Sequence, residues 1–233
     1  MLTLYVFDRP PYYRLRDGHP AGGFLLDLSL AVLDRSAVPY AVRELPAPRV
    51  TDTFEKQDVA ACATGWFMTP QRQAFARFSA PLYQDKPLVA AMGATGACPD
   101  KTTLDRLLVE KHRWGLRRGF SYGQDFDAKL AALPDGRVHR FTESASMLEL
   151  VAKGRLDAVL IEPEEFSWLV GQHPEYAARL RTCALSDVRP GNSRHIMCDA
   201  AVSPAILARI DAAIGEFVGE PAQKARRLLA LRH

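Results

Sequence analysis

The sequence predicts an α/β protein built as two units, and three observations carry that expectation. β-prone apolar runs alternate with helical apolar patterns, the alternation runs through twice, and no Gly/Ser-rich or low-complexity stretch separates the two passes. A chain of 233 residues suits one large domain or two small ones. Strands that alternate with helices predict parallel sheets with crossover connections.

In chain order, LTLYVF (2–7) reads as a strand, DRPPYYRLRDGHP (8–20) as turns, GGFLLDLSLAVLDR (22–35) as a helix and VPYAVREL (38–45) as a second strand. A short polar helix around 48–56 leads to DVAACAT (58–64), whose small apolar residues predict a strand buried on both faces. The second pass runs PLVAAM, helix TTLDRLLVE, strand RWGLR, helix 121–133, strand RVHRF, helix SASMLELVAKG and strand LDAVLI. RHIMC (194–198) adds a strand, and the tail 203–231 carries Ile206, Ile210, Ile214 and Phe217 on one helical stripe, the pattern of core packing. The chain would cross between units in extended segments at YQDKP (83–87) and DVRPGNS (187–193). That makes the first lobe discontinuous, at 1–86 and 190–233, with the second at 87–189.

Composition removes several functions. With 48% hydrophobic and 24% charged residues the chain is expected to fold around a core rather than stay disordered. Thirty Lys and Arg against 27 Asp and Glu leave a net charge of +3, spread along the chain, which argues against a nucleic-acid partner. No apolar run approaches the roughly 20 residues that cross a bilayer. Met1 runs straight into LTLYVF with no secretion signal, as in a cytosolic protein or a mature chain with an added Met. Cys62, Cys98, Cys183 and Cys198 form no CxxC pair and the histidines no HExxH, so neither a metal nor a cofactor is expected. Four cysteines allow two disulfides in any of three connectivities, or four reduced thiols.

Chemistry concentrates at strand-to-helix junctions, where α/β sheets place ligands because helix N-termini present unpaired amides. In MTPQR, Thr69 can cap a helix that begins at Pro70, which puts the Arg72 guanidinium beside free amides, a setting suited to a carboxylate. Residues 119–123, GFSYG, match G-x-S-x-G, and Asp157, Asp187 and His195 follow in the order of a serine hydrolase. That reading is the weaker one, because no HGGG segment precedes the motif and a two-unit chain lacks one large sheet. Otherwise Ser121 caps a helix and offers its hydroxyl to an anion. Glu162 follows a buried-looking strand and would either accept from an ammonium group or stabilise its own helix.

Four segments together resemble the family 3 extracellular solute-binding proteins, the amino-acid-binding subunits of bacterial ABC importers. They are PPYY with GGFLLDL, DVAACATGWFMTPQRQAFARFSAPLYQDKPLV, WGLRRGFSYG and GRLDAVLIEP. The resemblance covers nearly the whole chain and implies the two-lobe type II periplasmic binding fold, with a two-strand hinge. It implies that Arg72 binds the ligand's α-carboxylate, that Ser121 assists, and that Glu162, where the family more often has Asp, takes the α-amino group. Arg9 stands where relatives often carry an aromatic platform, which leaves Tyr12 or Trp66 for that role. Trp66 and Phe67 would wall the cleft or pack under the crossover. Arg9, Arg72 and Arg117 would bring three cations near one Glu, favouring a ligand more negative than a neutral amino acid.

The resemblance further implies no catalytic residue, a monomer in the periplasm, a small carboxylate-bearing ligand and an ABC permease as membrane partner. In this fold the strands ending at Cys62 and Cys198 are neighbours, so that pair is expected to bond. The same fold also hosts dehydratases of cyclic dienyl acids, of the cyclohexadienyl or arogenate type, for which Glu162 would be the acid. It also hosts sensor inputs.

Overall fold

The computed structural model describes residues 1–217 except 57–58, 96–97, 99–101, 135 and 189–190. The chain runs β1 (Leu2–Val6), β2 (Leu15–Arg16), β3 (His19–Pro20), α1 (Phe24–Ser36), β4 (Tyr40–Glu44), α2 (Ala47–Phe54), β5 (Ala61–Phe67), α3 (Pro70–Gln73), β6 (Ala76–Phe78) and β7 (Tyr83–Gln84). It continues through β8 (Val89–Gly93), α4 (Leu104–Val109), β9 (Trp114–Arg117), α5 (Gln124–Ala131), β10 (Val138–Phe141), α6 (Ser144–Ala152), β11 (Ala158–Ile161), α7 (Pro163–Gln172), α8 (Pro174–Ala177) and β12 (Leu180–Ala184). It ends in β13 (Ser193–Asp199) and α9 (Pro204–Phe217). Two compact units result, Met1–Gln84 with Ser193–His233, and Asp85–Asn192. None of the described helices is long and apolar enough to cross a membrane.

The sheet of the first unit has the order β4-β1-β5-β13-β6, with β7 also on β13. β4, β1 and β5 are parallel, but β13 runs antiparallel to β5, β6 and β7, so the expectation of purely parallel sheets is corrected. The reason is the return of the chain: β13 re-enters after the second unit and lies beside the outgoing strand. Leu2, Leu4 and Val6 of β1 alternate inward against Leu25, Leu28 and Val32 of α1 and Ile210 and Ile214 of α9. Each such side chain contributes about 1.5–3 kcal/mol when fully buried. The tail stripe is therefore core packing as far as Phe217, and its predicted continuation to 231 lies outside the described residues.

The second unit's sheet has the order β10-β9-β11-β8-β12, with β8 antiparallel to β11 and β12. β11 is buried along its whole length because helices cover both faces. Ala158 and Leu160 join Leu104, Trp114 and Phe126 on one side, while Val159 and Ile161 join Met147, Leu148 and Val151 on the other.

The chain leaves the first unit after Gln84 and returns at Ser193, and the two passes lie side by side. Gln84 pairs with Ser193 and Tyr83 with Arg194, while the Asp85 amide donates to the Asn192 carbonyl at 3.2 Å. Gly191 permits this approach, since a Cβ there would lie 2.3 Å from the Asp85 carbonyl oxygen. Of the expected return segment, 189–190 lie outside the described residues.

Cys62 and Cys198 sit opposite each other on β5 and β13, with Cα atoms 3.9 Å apart, and form a disulfide. Cys98 and Cys183 form a second one, between the segment after β8 and strand β12. Denatured without reductant, the protein should titrate no free thiol, and four after reduction. Four thiols before reduction would contradict both bonds.

Candidate functional site

In the first unit the site is assembled around a bulge. His195 pairs with Trp66 and Ile196 with Thr64, which leaves Gly65 unpaired in β5 at φ +77°. The bulge turns the Gly65 carbonyl towards the Arg194 side chain, which donates to it from Nη1 at 3.0 Å. It also exposes the Thr64 carbonyl to the Tyr13 hydroxyl, which donates at 3.1 Å. Trp66 and Phe67 thus end the strand itself, which runs past Thr64, where the predicted strand stopped.

Thr69 caps α3 as expected, its hydroxyl accepting from the Arg72 amide at 3.3 Å with Pro70 as first residue. The Arg72 side chain donates to the Phe67 carbonyl at 3.0 Å, and its guanidinium lies over the Trp66 ring at 4.7 Å. Arg9 lies over the Tyr12 ring at 5.0 Å. Arg194 lies 4.7 Å from the same ring and 4.7 Å from that of Phe67. Arg9, Tyr12, Trp66, Phe67 and Arg72 are therefore brought into one patch, joined by Arg194, which the sequence reading did not weigh. A charged residue opening an apolar strand was the signal for it. Tyr12 is fully buried, so its ring backs two guanidiniums instead of offering the open platform suggested for it.

In the second unit β9 ends at Arg117 and the turn to α5 carries Phe120, Ser121 and Tyr122. The Arg117 amide donates to the Tyr122 hydroxyl at 2.7 Å, its guanidinium lies over Phe120 at 4.2 Å, and its Nη1 meets Glu165 Oε1 at 3.3 Å. Arg117 is thus countered by a buried carboxylate on α7, and the expectation of three arginines near one Glu is corrected to include Glu165. Glu162 is buried and precedes α7, whose first turn it does not cap with its side chain. Glu164 meets Lys86 at 2.9 Å.

Ser121 is not the cap of α5; that position is Gly123. Its hydroxyl donates to Asp127 Oδ2 at 2.5 Å and accepts from the Gly123 amide at 3.2 Å, while Asp127 Oδ1 accepts from the Tyr122 amide at 2.8 Å. A carboxylate in the first turn of α5 suits the positive end of that helix. The other members of a hydrolase triad have different partners. Asp187 accepts from the Leu104 amide at 2.8 Å, Asp157 binds Arg113, and His195 meets the Ser79 carbonyl at 2.7 Å. Ser121 is paired with a carboxylate and not with an imidazole, so the nucleophile elbow is not assembled. Among the described residues no His, Cys, Asp and Glu cluster is arranged to hold a metal.

Asp157, in the GRLDA segment, has a structural task. Arg113 grips it from Nε and Nη2 at 2.9 Å each, and the Arg113 amide adds a bond at 2.7 Å, clamping β9 to the start of β11. The Arg113 hydrogen bond holds the Asp157 carboxyl below its ordinary range, against a smaller opposing effect of burial. Because the folded value lies below the unfolded one, the stabilisation is present above the unfolded pKa and fades as pH falls through the folded one. Asp157→Asn should lower the melting temperature at neutral pH, and the difference from the parent should shrink below about pH 4. A difference independent of pH would contradict the clamp.

Two mixed sheets in separate units, the first built from both ends of the chain, define the two-lobed type II periplasmic binding protein fold. Solved structures agree over almost the full length. The chain is similar to a histidine kinase sensor domain that itself resembles periplasmic binding proteins, at TM-score 0.78 and 14% identity, over 99% of this chain and 94% of that one. It is similar to an amino acid ABC transporter substrate-binding protein of Streptococcus pneumoniae bound to L-arginine, at TM-score 0.75 and 16% identity, covering 99% and 92%. An ancestral arginine-binding protein bound to arginine gives TM-score 0.74 and 18% identity, covering 97% and 96%. No family model and no curated protein matches the sequence.

Proposed function

We propose that the protein is a solute-binding protein that closes its two lobes on a small carboxylate-bearing ligand, an amino acid or related acid, and delivers it to an ABC permease. The observation that carries this reading is Arg72, oriented by the Phe67 carbonyl and the Trp66 ring beside the Thr69-capped turn. In this reading Arg72 grips the carboxylate, with Arg9, Tyr12, Trp66 and Phe67 shaping that side of the cleft. Arg117, Ser121 and Glu162 act from the other lobe, and Glu162 takes the ammonium group. Contacts with both lobes favour the closed state, so affinity follows the difference in contact between open and closed forms. No residue is assigned a catalytic role. The likeness to ABC transporter binding proteins supports the reading, as do two disulfides, which fit the periplasm. The protein is taken as a monomer with no cofactor.

A second reading, sensing in place of transport, is favoured by the likeness to the kinase sensor domain and uses the same binding step.

A thermal-shift screen over amino acids, dicarboxylates and other small acids tests the proposal. A ligand at a hundredfold excess over Kd stabilises by about 2.7 kcal/mol. Turnover of prephenate or arogenate would replace the binding reading with the dehydratase one.

A further inference from the structure

We infer that Ser121 meets the ligand as a hydrogen-bond acceptor, so that the group it selects is an ammonium or another N–H or O–H donor and not the α-carboxylate. Asp127 is the positioning residue that sets this direction. That role rests on the binding reading above and deepens it by naming which end of the ligand the turn 119–123 takes. A serine hydroxyl has one proton to give and two lone pairs to receive with. A carboxylate has only lone pairs, so the contact of Ser121 with Asp127 Oδ2 at 2.5 Å commits the hydroxyl proton. The Gly123 amide, at 3.2 Å, fills one lone pair. Among the described residues no further partner meets this hydroxyl, which leaves one lone pair for a donor.

The amides of the same turn are committed as well. The Tyr122 amide donates to Asp127 Oδ1 at 2.8 Å and the Phe120 amide to the Arg117 carbonyl at 3.4 Å. Asp127 is fixed in its turn, since its own amide donates to the Gly123 carbonyl at 2.8 Å in the first turn of α5. The Arg117 side chain, which could draw an acid here, meets Glu165 Oε1 at 3.3 Å. A ligand carboxylate offers acceptors only, and would find neither the Ser121 proton nor those of the Phe120, Tyr122 and Gly123 amides. An ammonium group brings three donors and can use the remaining lone pair. β9 and β11 are neighbouring parallel strands, so the turn after β9 and Glu162 after β11 leave the same end of this sheet. Two acceptors there suit one ammonium group, and a site built to receive a donor disfavours an analogue that lacks it. The hydroxyl thus departs from the carboxylate-assisting role that the family resemblance implies for it.

The test compares acids that differ only by the α-ammonium: L-glutamate with glutarate, L-glutamine with glutaramate and L-arginine with δ-guanidinovalerate. Thermal shift on the full chain selects the pair that binds, and displacement of the amino acid extends the titration to its weaker deamino partner. Ser121→Ala should weaken the amino acid about tenfold, the effect of one charge-assisted hydrogen bond, and leave the deamino acid within about twofold. Asp127→Asn offers one acceptor where the carboxylate serves both the Ser121 hydroxyl and the Tyr122 amide. It should therefore shift the same ratio in the same direction, and add little to the shift in the Ser121→Ala background. A merely structural loss would weaken both acids alike and leave the ratio unchanged. Weakening of both alike by Ser121→Ala, of the deamino acid more, or of neither overturns the inference and leaves the binding reading standing. Binding of none of these acids and of no other small acid overturns both. Should Ser121→Ala fail to fold, the same ratio measured in Asp127→Asn decides.

Discussion

Gly65→Ala is expected to destabilise the first unit by about 2–6 kcal/mol, the largest effect on stability of any single substitution considered. A Cβ at this position would lie 1.5 Å from the Tyr13 hydroxyl and 2.9 Å from Leu25 Cδ2, with the backbone at φ +77°. Left-handed backbone in a non-glycine residue costs about 1–3 kcal/mol, and overpacking about as much again. Against a typical domain stability of about 5–15 kcal/mol that is a large share. The double variant Gly65→Ala/Tyr13→Phe should recover part of the loss, because it removes the atom in closest conflict and leaves the backbone strain. Denaturant unfolding checks both. A Gly65→Ala protein within about 1 kcal/mol of the parent would contradict the bulge that positions Arg194, Trp66 and Phe67.

Arg72→Ala is expected to remove ligand binding and leave the fold intact. The side chain is half-buried and contributes one hydrogen bond and one cation–π contact to its own unit, together about 1–2 kcal/mol. Its loss from a buried ion pair with a ligand carboxylate costs more, about 2–5 kcal/mol, or roughly thirtyfold to several thousandfold in Kd. Calorimetric titration with whichever acid gives the largest thermal shift measures the second effect and thermal unfolding the first. Unchanged affinity would take Arg72 out of the site.

The parts of the fold with strong hydrophobic periodicity were legible in the sequence. LTLYV alternates buried and half-buried along β1, FLLDLSLAVLDRS buries one face of α1, and AVLI is buried throughout as its uninterrupted apolar run implies. Strand β12 was not read. LRTCA carries its two polar residues, Arg181 and Thr182, side by side and so shows no period of two, and three of its five residues are partly or fully exposed. The hairpin β2–β3 has two residues per strand, too few for any period. Strand direction was misjudged where β13 and β8 run against their neighbours, since direction depends on where the chain re-enters a sheet and not on local pattern.

The site divides in the same way. Thr69, Pro70 and Arg72 form a local capping motif within four residues, and that motif formed as read. Arg194 and Glu165 owe their place to pairing between distant segments, Arg194 across the bulge from Gly65 and Glu165 to Arg117 at a separation of 48. Ser121 was read as the cap of the helix after β9, a position that Gly123 holds, and its pairing with Asp127 depends on a turn geometry that G-x-S-x-G does not encode.

Solution X-ray scattering with and without the best-stabilising acid measures lobe closure itself. The account predicts that the radius of gyration falls on saturation in the parent protein and stays constant in Arg72→Ala at the same concentration. A saturated parent protein with an unchanged radius of gyration would contradict it.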